Sequence, residues 1–505
     1  MHLPKYAVTL LSVVLFVLLF FEKSLGLNVT LYAAATIVLL FVFKKSFYNA
    51  TENKIAAAGF LLTSVFYYVY ASPFTLAVAF LSLMLLFGLH TVPSIRNYAY
   101  ALPNFIPNYF NAIGSFFMSF SDRNKVTKRF KLSRTMRIIF LPLFIILLFL
   151  ALYSMGSSFF SDALGEVGEA ISRFFRNIAD YIDIAVIGVA LLGLLFGVVH
   201  SLGFTDTFFS QTDSKASNLL QRIRHKSEGR FKFLDLKYEY KSGVFLFATL
   251  NLMLLVLLFL EIKNIWFNFE WQGEFLKSLV HEGTYILIIS ILVSMAITIY
   301  FFRKNLNFYK KNKLLKQLAY GWIGLNSVLV LSVFIRNAYY IQHFGLAYKR
   351  IGVIFFLVLC IVGLVTLVIK INKLKSTYYV IRVNSLAAYI ALVALCAINW
   401  DVFIAKYNFS HYKTAFVHLP FMADLSDKAL PYLQVTDEQI AEIESKQVEK
   451  IPFAKRGYFE EIGYKQKMED RIISFKASYK KKHWLERRWA ESKAFDLLSA
   501  EENAN

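Results

Sequence analysis

The sequence predicts an all-α protein: a polytopic bundle of about eleven transmembrane helices followed by a helical carboxy-terminal tail. Three observations predict it. Hydrophobic side chains make up 57% of the 505 residues, where a soluble domain carries roughly 45–50%. They fall in blocks of about 16 to 21 residues, close to the roughly 20 that an α-helix needs to cross about 30 Å of hydrocarbon. Lysines and arginines cluster in alternate short loops between the blocks, which is how helices are oriented in a membrane. Helices follow because hydrocarbon offers no water to satisfy backbone N–H and C=O groups. The alternating strand pattern of a membrane barrel is missing.

Taken in order, the expected spans are 6–21, 26–43, 55–70, 73–89, 138–153, 184–202, 244–260, 285–302, 318–335, 351–371 and 380–400. The first has the outline of a secretory signal peptide. No small-x-small cleavage site follows it, however, and keeping it preserves the charge alternation. On the amino-terminal side the loops carry Lys44, Lys45 and Lys54, then Arg123 to Arg137, Lys215 to Lys241, Arg303 to Lys316, and Lys370 to Arg382. That is about thirty basic residues, against about eight in the opposite short loops. Short basic loops stay in the cytoplasm, so the amino terminus is expected inside and the tail outside. The net charge of +21 then reports topology and attraction to anionic headgroups. In the last hundred residues the charges nearly cancel, so no nucleic-acid partner is expected. The expected partner is the lipid bilayer, joined by an extracytoplasmic protein or a lipid headgroup.

Between the spans, 91–120 is apolar but carries Pro93, Pro103 and Pro107, which interrupt helices. It reads as an interfacial segment. Residues 162–180 place Leu164, Val167, Ile171, Phe174, Phe175 and Ile178 at helical spacing, an amphipathic helix on the outer surface. Residues 204–241 read as a polar cytoplasmic loop without a phosphate-cradling glycine run. The bundle is thus 1–400 and the extracytoplasmic tail 401–505. In the tail, Thr436 and Gln439 have capping-box spacing. From Met468, the positions Ile472, Phe475, Tyr479, Trp484, Trp489 and Phe495 suggest a basic amphipathic helix. Its Lys480–Lys482 run either touches lipid headgroups or packs on the outer face of the bundle.

Ionisable groups beside apolar spans are costly and usually pair. By topology His281 and Glu282, Arg336 with Tyr340, Lys349 with Arg350, and Asn399 with Asp401 all lie at the outer mouth. Glu282 is expected to pair with Arg336 or Arg350, and Asp401 with another of these cations. Tyr339, Tyr340 and Tyr348 would supply hydroxyls. Three readings stay open: a clamp of helix ends, a pocket for a headgroup, solute or partner, and an acid–base pair of Glu282 and Asp401. Within the membrane, Asn326 and Asn251 are expected to bond across helices, and Arg382 and Asn384 open the last span. Midplane carboxylates of a proton relay are missing. So are the phosphate loop, zinc helix, nucleophile elbow and dinucleotide fingerprint. No catalytic residue, metal or cofactor is assigned. Cys360 and Cys396 read as small buried hydrophobes.

Several of these residues fall into motifs: His281-Glu282-Gly283; Tyr320-Gly321-Trp322 with Asn326; Arg336 with Tyr340; Phe344-Gly345-Leu346 with Arg350; and Arg382 with Asn384. Strongest are Asn399-x-Asp401-x-x-Ile404-Ala405-x-Tyr407-Asn408 and Asp424-Leu425-Ser426-Asp427-Lys428-Ala429-Leu430-Pro431. Over residues 280–433 the chain resembles a family of bacterial polytopic membrane proteins known only as a domain of unknown function. The first half is similar in architecture alone. Phe344 stands where the family pattern has a tyrosine. The resemblance implies an integral inner-membrane protein and supplies no substrate. The function expected is a non-enzymatic envelope, binding or scaffold protein. A transporter or flippase for a small or amphiphilic solute is the alternative, and an enzyme on lipid-linked substrates the third reading.

Overall fold

A computed structural model describes residues 5–43, 48–90, 95–121, 193, 208–222, 231–267, 284–450 and 463–504. Expected spans five and six fall outside these residues, apart from helical Gly193, and so does the amphipathic helix at 162–180. The other nine expected spans are helical, and two further helices, α5 in the expected interfacial segment and α6 in the expected cytoplasmic loop, lie among them: α1 Lys5–Phe20, α2 Leu27–Phe43, α3 Thr51–Tyr70, α4 Pro73–His90, α5 Tyr98–Ser121, α6 Phe208–Lys215, α7 Phe231–Glu261, α8 Thr284–Phe301, α9 Lys313–Phe344, α10 Tyr348–Asn372 and α11 Thr377–Leu395. The tail adds α12 Trp400–Ser410, α13 Leu419–Ala423, α14 Asp437–Lys450, α15 Tyr464–Lys481 and α16 Trp489–Ala504, with 3-10 turns at Asp427–Tyr432 and Trp484–Glu486. Among the described residues, the stretches Leu236–Phe267, Lys313–Phe344, Tyr348–Asn372 and Thr377–Leu395 are long and apolar enough to cross a membrane, and shorter apolar helices join them.

Three cores organise the described chain. One joins α7 to α10 through Phe247, Phe302, Leu315, Trp322 and Leu364. A second joins α1 to α5 with Tyr389 of α11. A third lies in the tail, where Ile404, Val417, Met422, Leu430, Phe475 and Leu498 close over Leu346 and Ile351. In the third, burial is driven by water, at roughly 1.5–3 kcal/mol per large side chain. Between membrane helices, lipid is as apolar as leucine, so close packing carries the association.

Four boundaries differ from expectation. The first is α5, a continuous helix with Pro103 and Pro107 inside it. Each proline removes a backbone hydrogen bond, but Asn104 Nδ2 donates to the Gly88 carbonyl at 2.8 Å, and glycine there lets the helices touch. Tertiary packing overrides the local breaker. Second, the expected cytoplasmic loop ends early, because α7 starts at Phe231. Third, the last span stops at Leu395, and Asp401 sits in the first turn of the separate helix α12. Trp400 Nε1 takes the Leu395 carbonyl at 2.7 Å, so the break leaves that carbonyl satisfied. Fourth, the basic tail helix is two helices with a turn between. The capping box is present as expected, with Thr436 Oγ1 accepting from Gln439 N and Gln439 Oε1 from Thr436 N.

Candidate functional site

Hydrogen bonds and ion pairs sort the helix ends into two sets. At the tail end of the bundle, Glu261 closes α7 as the lone carboxylate after a long apolar run. Arg336 in α9 donates from Nε to Glu261 Oε2 at 2.9 Å and pairs through Nη2 with Oε1. Ser332 Oγ also donates to Oε2, at 2.8 Å, and Trp266 Nε1 donates to that hydroxyl at 3.3 Å. The Arg336 and Glu261 side chains are 7% and 10% exposed. Arg336 therefore pairs with Glu261. Glu282, the partner the sequence suggested, and its neighbour His281 lie outside the described residues.

Asp401 is the centre of a second cluster. Its Oδ1 accepts from the Tyr348 hydroxyl. Its Oδ2 accepts from Ser426 Oγ at 2.8 Å and pairs with the Lys428 ammonium. The side chains of Lys428 and Asp401 are 1% and 9% exposed. Burial raises the carboxyl, but Lys428 and the two hydroxyls outweigh it, and Asp401 is held below the usual carboxylate range. Burial pulls Lys428 down, and Asp401 offsets only part of this. The expected cations Arg336 and Arg350 are engaged elsewhere. The Arg350 guanidinium lies 3.7 Å over the Tyr340 ring, so Tyr340 contributes its face to a cation–π contact.

Local backbone geometry sets this arrangement. Gly345 ends α9 at φ +74°, a region that side chains disfavour. The chain then doubles back against Asn408 of α12. Asn408 Oδ1 accepts from Leu346 N at 2.7 Å and its Nδ2 donates to Leu346 O at 3.0 Å. A Cβ on Gly345 would stand 2.7 Å from Asn408 Oδ1. Asn337 Nδ2 donates to Arg350 O at 3.2 Å, tying α9 to α10. Asn399 starts α12 without capping it through its side chain.

The opposite end holds the other set. Arg382 pairs with Glu52 and donates to the Arg96 carbonyl. Asp213, fully buried, accepts from Tyr378 Oη at 2.7 Å and Arg96 N at 2.7 Å. Arg96 donates on to the carbonyls of Asp213 and Ala216. Beside it opens a cleft of about 640 Å³ lined by Arg96, Lys215, Ser217 and Asn218. Between the ends, Asn251 bonds across to Leu318 O at 3.0 Å, and Asn384 to Thr366 Oγ1 at 2.9 Å. Asn326 does not cross. Its Nδ2 returns to Trp322 O within α9, and its Oδ1 has no hydrogen-bond partner among the described residues.

Sequence reading brought Arg336, Tyr340, Arg350, Asn399 and Asp401 to one end and expected the Tyr348 hydroxyl beside them, but it did not give the partners found for Arg336 and Asp401. It missed Glu261, whose signal was a single carboxylate at the end of a span. It missed Lys428, whose signal was its place in the Asp424–Pro431 motif.

The family described as Domain of unknown function (DUF4153) matches residues 6–435. The chain belongs to that family. The match ends one residue before the Thr436 cap, so the DUF4153 region includes Ser426 and Lys428 and leaves α14 to α16 beyond it. No curated protein and no solved structure matches the chain.

Proposed function

We propose that this chain is a multi-pass, non-enzymatic protein of the bacterial inner membrane, with a cytoplasmic amino terminus and an extracytoplasmic tail. Its tail is a rigid cap that offers a fixed surface to an envelope protein or lipid headgroup. The observation that carries this reading is the clamp at Asp401. Both carboxylate oxygens are engaged, by Tyr348 of α10 and by Ser426 and Lys428 of the tail. A general acid or base needs a face turned toward substrate; a clamp needs every lone pair used. Asn326, 1% exposed within a packed helix group, favours a scaffold over a water-filled path.

The test compares three strains: a gene deletion, a truncation after residue 410, and full-length Lys428→Met. Each is assayed for envelope permeability and stress at matched membrane abundance. A defect shared by deletion and truncation, and weaker in the point variant, supports a role of the cap. Full rescue by the truncated bundle would place the activity in the membrane helices and favour transport. A reporter fused after Asn505 that is active only in the cytoplasm would overturn the sidedness.

A further inference from the structure

The turn joining α15 to α16 lies against the bundle. Glu486 Oε1 accepts from Ser24 N at 2.8 Å. A Cβ on Gly26 would come within 2.5 Å of the Glu486 backbone, so only glycine admits this approach. Asn28 Oδ1 holds Gly26 N at 2.7 Å from the first turn of α2. Arg488 Nη1 donates to the Tyr67 hydroxyl at 3.4 Å, about one turn inside the end of α3. Residues 483–489 therefore sit at the depth where α2 begins and α3 ends.

On a membrane bundle that depth is the headgroup zone, where the amphipathic rings of tryptophan concentrate. Trp484 is 59% exposed there and Trp489 51%. On the bundle side, Leu25, between the Ser24 and Gly26 that meet Glu486, is 38% exposed, and Leu18 of α1 is 62% exposed. Lys480, Lys481 and Arg487 stand beside Trp484 in the chain, and Lys493 Nζ lies 5.6 Å over the Trp489 ring. Apolar rings ringed by cations are what an anionic bilayer surface holds.

We infer that the His483–Trp489 turn is a membrane anchor. Trp484 and Trp489 seat among the glycerophospholipid headgroups of the tail-side leaflet, with the neighbouring cations against lipid phosphate. The inference rests on the membrane reading of the helices and not on the role proposed for the cap. Lipid is the occupant because Glu486 and Arg488 hold the turn that carries both exposed indoles at the bundle rim, where Leu25 is exposed too.

The test uses full-length protein with Cys360 and Cys396, both buried, replaced by alanine. A bimane label is placed at Trp484→Cys, Trp489→Cys, Val38→Cys or Lys465→Cys, in phosphatidylcholine–phosphatidylglycerol vesicles. Val38, 58% exposed on α2, reports lipid; Lys465, with its side chain 53% exposed on α15, reports water. Labels at 484 and 489 should be quenched by headgroup spin-labelled lipid, and several-fold less by aqueous iodide than the label at 465. Iodide access equal to that at 465 overturns the anchor, and so does shielding from both quenchers, which means a protein covers the turn. Lipid quenching at 38 in the same vesicles keeps failure of the anchor distinct from failure of the membrane reading.

Discussion

The two ends of the bundle solve one electrostatic problem differently. At the tail end, the charges of Asp401, Lys428, Glu261 and Arg336 are sealed, with side chains no more than 10% exposed. At the far end Asp213 is buried, but the cations stay open: Arg382 is 27% exposed and Arg96 39%, and Arg96 faces an open cleft. Sealed charges lose their hydration and depend wholly on one another. Partly exposed cations keep part of theirs and tolerate loss of a partner better. The sealed end is therefore where the protein should be brittle.

The largest effect should come from Lys428→Met, which leaves the Asp401 carboxylate buried and unpaired. We expect a loss of about 3–5 kcal/mol, read as earlier release of the tail in denaturant-dependent proteolysis. Asp401→Leu combined with Lys428→Met should recover much of it. A combination as damaging as the sum would mean that the pair acts through something other than charge. Because the folded-state Asp401 pKa is depressed, the clamp's contribution is complete above about pH 4. It is lost as pH falls through the lower folded value.

Arg336→Met should rank next, at about 2–3 kcal/mol, because Glu261 loses its buried cation but keeps the hydrogen bond from Ser332. Thermal unfolding in detergent reads it. Gly345→Ala combines φ +74° with a collision at Asn408, and should cost about 1–2 kcal/mol from the backbone alone. An unchanged melting temperature would show that the α9–α10 corner relaxes freely. At the far end, Glu52→Gln should cost about 1 kcal/mol or less. A loss there as large as that of Lys428→Met would erase the contrast between the ends.

The smallest effect is a titration. His418 Nδ1 accepts from Phe421 N at 3.0 Å and starts α13. Burial holds its pKa below the ordinary value. The cap is complete above about pH 6.5 and is lost as pH falls through the lower folded value. The protection of the Phe421 amide, its exchange rate taken relative to the intrinsic rate at each pH, should fall on acidification. His418→Asn keeps a capping oxygen without the titration and should flatten the profile.

The sequence by itself determined the helical class, the apolar helices within the described residues and the Thr436 cap. Each depends on composition, period or spacing within about twenty residues. It also drew Arg336, Arg350 and Asp401 to one end, because loop alternation sorts charges by side. The partners were a tertiary matter. Glu261 and Arg336 lie 75 residues apart, and Lys428 reaches Asp401 only after the tail has turned back on the bundle. Pro103 and Pro107 read locally as breaks, yet the contact of α5 with Gly88 keeps the helix whole. A residue's neighbours in sequence set its conformation and the end of the bundle it lies at; only packing between distant helices chooses which opposite charge shares its buried site.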